Sequence, residues 1–320
     1  EGGTIGTAQG GNATADHKDG GSGIYSKGDL SIEGGTIGTA QGGSGRSGGY
    51  GIRSNQELTI EGGTIGSLTT DDNGKQIPDP TTGALGGNAA TGEQGGHGIY
   101  SKGQLFISDG ANIINAKGGD SQKNGGDGIR SDGELTIEGG EIKQATGGGA
   151  TGESGTGGNG IRSKIVKILG GLITKAKGGN ATGEDGDGGA GIASDGALTI
   201  HSGNIGTAQG GTSANGTGGD GIRSDGELTI KGGEIKQTTG GKATGESGNG
   251  GSGIRSGDTL TISNSATITN ATGGTSTNGN GGSGIYSNRE LKIDGNAAIT
   301  NATGGASTDG NGGSGISSGS

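Results

Sequence analysis

The sequence predicts an all-β fold, a right-handed parallel β-solenoid (β-helix) of about ten turns. The first observation is that GIRSDGELTIEGGEIKQATGG (128–148) returns almost unchanged at 221–241, and looser copies fill the chain. The second is the alternation of apolar and polar residues within each copy, which is typical of a strand with one buried face. The third is frequent glycine without helical apolar spacing, which excludes helical repeats.

The isoleucine of the motif GI(Y/R)S marks the period. Successive marker isoleucines lie 30 to 32 residues apart, except for steps of 28 and 47 residues at Ile24, Ile52 and Ile99. A fixed period of this length is a signature of stacked repeats. We therefore expect residues 1–320 to form a single repeat array with turns about 4.8 Å apart and right-handed connections.

Each repeat is expected to hold three short strands. The first begins at the marker isoleucine, the second holds an alternating pair such as Leu135 and Ile137, and the third holds an isoleucine such as Ile142 after a glycine turn. With so few inward apolar side chains per turn, the core must be thin. Backbone hydrogen bonds between turns should then matter as much as apolar burial.

A glycine-rich segment such as GGGATGESGTGGNG (147–160) completes each repeat. It contains no large side chain, and a small residue lies near its middle (Ala13, Ala150, Ala181 or Ala243). The segment can bulge as a solvated loop, or it can lie flat as extended chain whose glycines let backbones approach closely. We favour the flat form because the length of the segment varies little.

Composition excludes several classes of partner. The net charge of −10 argues against nucleic acid, whose phosphates require a basic surface. No stretch approaches the about 18 apolar residues of a membrane span, so no membrane insertion is expected. The chain has no cysteine, so neither a disulfide nor a thiolate-bound metal stabilises the fold.

Two turns depart from the pattern. The 47-residue step contains an insertion at 69–84, where Asn73-Gly74 is a strong signal for a two-residue hairpin loop. A calcium loop at DDNG is a weaker alternative, because the spacing of acidic ligands is incomplete. The other altered turn, RSKIVKILGGLITKAKGG (162–179), has gained four lysines, which we interpret as balancing the charges of Glu134 and Glu141.

Stacking places the residue after each marker in one outward column of arginine and tyrosine. Arginine pairs with carboxylates and tyrosine stacks on sugars, so the column is a candidate binding site for an acidic, pectin-like polysaccharide. The alternative is that the arginines pair with Glu57, Glu134 and Glu227 on the adjoining strand. The candidate residues are Tyr25, Arg53, Tyr100, Arg130, Arg162, Arg223, Arg255 and Tyr286.

Catalysis is not expected. An active site requires a unique group of converging residues, whereas His17, His97 and His201 lie at three different positions of the repeat. Polysaccharide lyases and hydrolases do use this fold, and fold alone does not decide function. An enzyme remains the third alternative, with its site near the inserted residues.

At GIRSDGELTIEGG the chain resembles bacterial extracellular right-handed β-helix proteins of the polygalacturonate-binding type. The resemblance covers the first and second strands of every turn except 164–169, and it does not cover the glycine-rich segments. It implies a β-helix with calcium bound by acidic residues before the marker isoleucine. Here only Asp127 and Asp220 match that position, so calcium is the one cofactor that the resemblance implies and no other is expected.

Three functions follow from these observations. The first is a non-enzymatic structural or adhesive protein of the bacterial cell surface that forms fibres or filaments. The second is a carbohydrate-binding module, and the third is a polysaccharide lyase or hydrolase. The sequence starts inside a repeat at EGGTIG and stops inside another at GSGISSGS. We expect either a segment of a longer parent chain or subunits that associate end to end.

Overall fold

The computed structural model describes residues 2–15, 17–89 and 93–319. It confirms the predicted fold class, a parallel β-solenoid of about ten turns that repeat about every 31 residues. Each strand of the coil pairs in parallel, and mostly in register, with its equivalents in the neighbouring turns. Among the described residues there is no helix, and hence no helix long and apolar enough to cross a membrane.

Three strands form the main coil of each turn. The first strands are Ile24–Ser26, Ile52–Ser54, Ile99–Ser101, Ile192–Ser194, Ile222–Ser224, Ile254–Ser256, Ile285–Ser287 and Ile316–Ser318. The second strands are Leu30–Ile32, Leu58–Ile60, Leu105–Ile107, Leu198–Ile200, Leu228–Ile230, Leu260–Ile262 and Leu291–Ile293. In the two remaining turns the first and second strands are continuous, as Ile129–Ile137 and Ile161–Ile168.

The third strands close the coil. Seven are continuous: Thr4–Gln9, Thr36–Gln41, Leu172–Lys177, Asn204–Gln209, Glu234–Thr239, Thr267–Thr272 and Ala298–Thr303. Three are interrupted: Thr64–Ile65 with Gly83–Leu85, Asn112–Ile113 with Ala116–Lys117, and Glu141–Ile142 with Ala145–Thr146. Two further strands, Leu68–Thr70 and Gln76–Pro78, lie outside the coil.

The core is a stack of like side chains. Ile192, Ile222 and Ile254 are partners in successive first strands, and all three are fully buried. Leucine and isoleucine of the second strands, and isoleucine and alanine of the third strands, stack in the same way. Each buried isoleucine or leucine stabilises the fold by about 1.5–3 kcal/mol relative to an exposed one.

A buried serine ends the first strand of each inner turn. The hydroxyl of Ser224 lies 2.7 Å from the carbonyl oxygen of Gly196 in the preceding turn and 2.9 Å from that of Glu227 in its own turn. Ser256 has the same two contacts one turn later, with Gly226 and Thr259. The serine of GI(Y/R)S therefore binds the corner between the first and second strands to the turn before it.

The glycine-rich segment leaves the main coil, turns around and comes back. Its two ends lie together, because a Cβ added to Gly160 would approach the backbone N of Lys177 in the next third strand to 2.7 Å. The flat path that we favour from the sequence is therefore wrong. The close approach of glycine backbones is confirmed, and it occurs between the outgoing and the returning legs of the excursion.

A glycine pair in each leg forms the contact, which we call the glycine neck. In the turn of Gly148, the amide of Gly158 donates to the carbonyl of Gly148, and the amide of Gly179 in the following turn donates to the carbonyl of Gly158. This zigzag of hydrogen bonds continues without a break from Gly313 to Gly11. Its outgoing members are Gly11, Gly43, Gly87, Gly119, Gly148, Gly179, Gly211, Gly241, Gly274 and Gly305, and its returning members are Gly21, Gly49, Gly96, Gly126, Gly158, Gly189, Gly219, Gly251, Gly282 and Gly313.

Beyond the neck lies a small lobe that holds one alanine or serine in each turn from Ala89 onward, and Gly45 in the turn before Ala89. Ala150, Ala181, Ser213, Ala243 and Ser276 pair in sequence, and all of them are buried. The hydroxyl of Ser276 donates to the carbonyl of Gly248 in the preceding turn at 2.6 Å. The cross-section of the rod therefore has two cores, a main one of isoleucine and leucine and a minor one of alanine and serine.

The inserted residues form an antiparallel hairpin in which Thr69 is opposite Ile77. It interrupts a third strand between Ile65 and Gly83, and both halves of that strand still pair with Thr36–Gln41. The loop has three residues rather than two, because the amide of Asp71 bonds to Lys75 across it. Gly74 closes the loop at a φ of 79°, in the left-handed region that favours glycine.

Candidate functional site

The arginine and tyrosine column exists as one continuous file on the rod. In the parallel register Tyr25 lies beside Arg53, Arg53 beside Tyr100, and Tyr100 beside Arg130. The file continues through Arg162, Ala193, Arg223, Arg255 and Tyr286. Register alone places these side chains, since each lies one residue after a buried marker isoleucine.

The expected pairing of these arginines with Glu57, Glu134 and Glu227 is wrong. Their partners are aspartates, aromatic rings and, for Arg53, the side-chain oxygen of Asn55 at 2.9 Å. Arg223 binds both carboxylate oxygens of Asp225 at 2.6 and 2.8 Å, and this hydrogen bonding lowers the pKa of Asp225. Arg162 binds both oxygens of Asp195 in the next turn at 3.0 and 3.2 Å.

The glutamates point elsewhere because they precede the second strand, one corner away from the column. Glu134 accepts a hydrogen bond from Thr136 and pairs with Lys167 at 2.8 Å. The expected charge balance between the lysines of 162–179 and Glu134 is thus confirmed. Glu141, by contrast, is 2.6 Å from Lys143 of its own turn.

Asp127 and Asp220 face the column from the position two residues before the marker isoleucine, and both are buried. Asp127 accepts hydrogen bonds from the backbone and side-chain nitrogens of Asn159 in the next turn, at 2.6 and 2.9 Å. Its second oxygen is 3.5 Å from Arg130. In residues 2–15, 17–89 and 93–319, no three His, Asp or Glu side chains converge to hold a metal ion.

Asp220 makes fewer contacts than Asp127. Its Oδ1 accepts the amide N–H of Ser252 at 2.7 Å. Its Oδ2 is 3.9 Å from Arg255, beyond hydrogen-bonding distance. Burial raises the pKa of Asp220, although Arg255 opposes that shift.

Three of the four tyrosines meet in the first turns of the column. The rings of Tyr50 and Tyr100 stack at 4.8 Å, and the guanidinium of Arg53 lies 4.8 Å from the centre of Tyr50 and 5.5 Å from that of Tyr25. His97 packs against Tyr50 at 5.3 Å. The cluster explains why tyrosine occupies the column here, because it covers arginine and histidine with aromatic rings.

His97 is buried and neutral. Burial lowers its pKa to about 4, although the carboxylate of Asp127 lies 3.6 Å from Nδ1 and would favour the proton. The same Nδ1 accepts the backbone N–H of Asp127 at 2.7 Å, which requires it to be unprotonated. The contact is therefore a hydrogen bond between turns rather than an ion pair.

The acidic residues of the hairpin hold its turns. Asp71 accepts hydrogen bonds from the amides of Asn73 and Lys75, at 3.0 and 2.9 Å. Asp79 accepts two from the amide and hydroxyl of Thr81, and these bonds lower its pKa. Asp71 of DDNG and the nearby Asp79 thus act as turn caps.

A cleft of about 330 Å³ opens where the column is broken by Ala193. Neighbouring turns carry Arg162 and Arg223 at this position, and the missing side chain leaves the space between them. Thr156, Asp187 and Thr217, which precede the returning glycines of the neck, also line the cleft, together with neck glycines such as Gly189 and Gly219. The charged residues that line the cleft are Arg162, Asp187, Asp195, Asp220, Arg223 and Arg255.

Sequence reasoning placed the arginines but missed the cleft. The sequence did carry a signal for the cleft. Ala193 is the one alanine in a column of arginines and tyrosines, and Ala190 takes the position two residues before the marker isoleucine, where most turns have a polar residue. Asp187 and Asp195 could not be assigned to the cleft from the sequence. Their places depend on the excursion of the glycine-rich segment and on pairing across turns.

The fold and these surface columns define a β-solenoid repeat protein. No family model matches the chain, and no curated protein or solved structure matches it significantly. The resemblance to polygalacturonate-binding β-helix proteins therefore rests on the repeated motif and on the solenoid fold alone.

Proposed function

We propose that the chain is a non-enzymatic structural and adhesive rod of the bacterial cell surface, and a unit of fibres or filaments. The observation that carries the proposal is the glycine neck, a hydrogen-bond chain that passes through every turn from Gly11 to Gly313. Together with the serine at the end of each first strand, it binds each turn to the next by backbone contacts. Residues that recur in every turn stabilise the stacking along the whole rod and do not form a single local site.

The polar residues with catalytic potential support the same proposal. His97 accepts a backbone amide, Asp127 accepts two hydrogen bonds from Asn159, and Asp71 and Asp79 cap turns. Each of these side chains is occupied by a hydrogen bond that stabilises the fold, whereas a catalytic side chain must be free to contact a substrate. A lyase or hydrolase is accordingly the weaker alternative.

Electron microscopy of the purified protein, combined with immunogold labelling of the cells that produce it, tests the proposal. We expect straight rods in which each ten-turn unit adds about 45–50 Å, and label at the cell surface. Compact monomers with label confined to the cytoplasm would refute it. Turnover of a polysaccharide would favour the enzymatic alternative.

A further inference from the structure

The cleft at Ala193 has the size and chemistry of a small-ligand site. Its volume of about 330 Å³ is at the lower end of the about 300–1,000 Å³ that ligand pockets occupy. Its wall carries Thr156, Asn159 and Thr217, and its apolar lining is limited to Ala190, Ala193 and glycine. A ligand here would be bound through hydrogen bonds by its own polar groups.

The charges of the cleft argue against an acidic ligand. Three arginines and three aspartates line it, so their formal charges cancel. Arg162 is already held by both oxygens of Asp195, and Arg223 by both oxygens of Asp225. A ligand carboxylate would share these arginines with the aspartates and would also meet the negative charges of Asp187 and Asp220.

Asp220 supplies an acceptor that the fold does not use. The side chain is 93% buried, with a relative exposure of 7%, and it lines the cleft. Its Oδ1 is taken by Ser252, whereas Oδ2 is 3.9 Å from its nearest cation. This oxygen is not fully enclosed by protein, so a hydroxyl group of a ligand in the cleft can reach it and donate to it in place of solvent.

Arginine supplies donors beside that acceptor. A guanidinium has five N–H groups, and a bidentate pair with aspartate uses only two of them. Arg162 and Arg223 therefore keep free donors at opposite ends of the Ala193 gap. Alternating donors and acceptors around a gap of this size match the neighbouring hydroxyl groups of a sugar ring.

We propose that the Ala193 cleft binds one unit of a neutral pyranose oligosaccharide, with Oδ2 of Asp220 accepting a hydrogen bond from a sugar hydroxyl. This inference names a ligand for the proposed adhesive role, and it rests on that role and not on the structural one. The ligand proposed here is a neutral oligosaccharide, whereas the arginine column by itself predicted an acidic polysaccharide. The rod itself does not depend on the cleft.

Calorimetric titration with hexasaccharides of glucan, galactan and mannan, and with polygalacturonate, tests the inference. We expect the wild type to bind at least one neutral hexasaccharide more tightly than polygalacturonate. Ala193→Arg fills the gap with the side chain that neighbouring turns already accommodate. Asp220→Asn keeps the bond from the Ser252 amide through Oδ1 and replaces the Oδ2 acceptor by an amide group that donates. Asp220→Asn should reduce affinity at least about tenfold, the effect of one lost charge-assisted hydrogen bond, and Ala193→Arg should reduce it at least as much because it occupies the site.

Asp120→Asn is the matched control, because Asp120 likewise accepts the amide N–H of a residue in the next turn, Gly149 at 2.7 Å, and lies three turns, about 14 Å along the axis, before Asp220 without lining the cleft. Its affinity should stay within about twofold of the wild type, as expected for a distant site. Three results would overturn the inference: no neutral hexasaccharide bound, equal affinity in Ala193→Arg, or tighter binding of polygalacturonate. Rods that persist by electron microscopy in any of these cases leave the structural role standing.

Discussion

The amide of Gly148 donates a 2.8 Å hydrogen bond to the carbonyl oxygen of Gly126 across the glycine neck. A Cβ on Gly148 would lie 2.0 Å from the carbonyl oxygen of Gly119. Such a distance is far inside van der Waals contact, so the neck admits no side chain. The relationship recurs at the equivalent glycine of each turn from Gly43 to Gly305, which explains why two glycine pairs flank each small lobe.

Gly148→Ala should therefore destabilise the rod by about 2–3 kcal/mol, the cost of overpacking a close contact. Gly149→Ala is the matched control, because its Cβ would meet no atom closer than 3.5 Å. It should change the free energy of unfolding by less than about 1 kcal/mol. Chemical denaturation measures both, and equal effects at the two positions would argue against the neck.

Ile137→Ala should lower the free energy of unfolding by about 2–5 kcal/mol, because the side chain is 1% exposed in the main core. Ile165→Ala is the control. Its side chain is 36% exposed on the outer face, so its loss should cost less than about 0.5 kcal/mol. The reverse order, measured by urea denaturation, would mean that the second strands face the other way.

Ser224→Ala should cost about 1 kcal/mol, because the hydroxyl joins two turns at a buried corner and leaves a carbonyl without its donor. Ser154→Ala lies on the exposed part of the small lobe and should have no measurable effect. Thermal unfolding midpoints compare the two variants. A neutral Ser224→Ala would show that the serine column does not stabilise the stacking.

Stability should fall as the pH falls through the range set by His97. The pKa of His97 is about 4 in the folded protein and about 6.5 when unfolded, so the unfolded state binds the proton first. The loss starts near pH 6.5 and is complete below pH 4, where it amounts to about 3 kcal/mol. Above about pH 6.5 the imidazole is neutral in both states and contributes no pH dependence.

Denaturation of the wild type and of His97→Gln at pH 7 and pH 4.5 isolates this effect. The variant carries no titrating group at this position, while carboxylates such as Asp220 are common to both proteins. The wild type should lose more stability than the variant on acidification. Parallel losses would indicate that His97 is accessible to protons in the folded state.

The periodic part of the fold could be predicted from the sequence, whereas the path of the glycine-rich segments could not. Register follows from the apolar pattern, because a shift of one residue would expose Leu228 and Ile230. Glycine gives no such signal, since it tolerates both a flat path and an excursion. The neck is visible only once Gly148 and Gly158 are seen to meet.

The candidate site was predictable to the same extent. The period alone places Arg162, Ala193 and Arg223 in one file. The partners of the arginines were not predictable, because Asp195 reaches Arg162 from the following turn and Asp225 reaches Arg223 from the corner after it. Those contacts depend on the backbone conformation of each corner, and residue type and spacing do not determine that conformation.

Amide hydrogen exchange along residues 147–160 tests most directly the claim that the glycine-rich segments are built elements of the rod. We predict that the amides of Gly148 and Gly158 exchange as slowly as that of Ile137, through opening of the whole rod. The amide of Ser154, in the exposed part of the small lobe, should exchange much faster. Exchange of Gly148 and Gly158 at the rate of an unstructured peptide, with Ile137 still protected, would contradict the glycine neck and the account built on it.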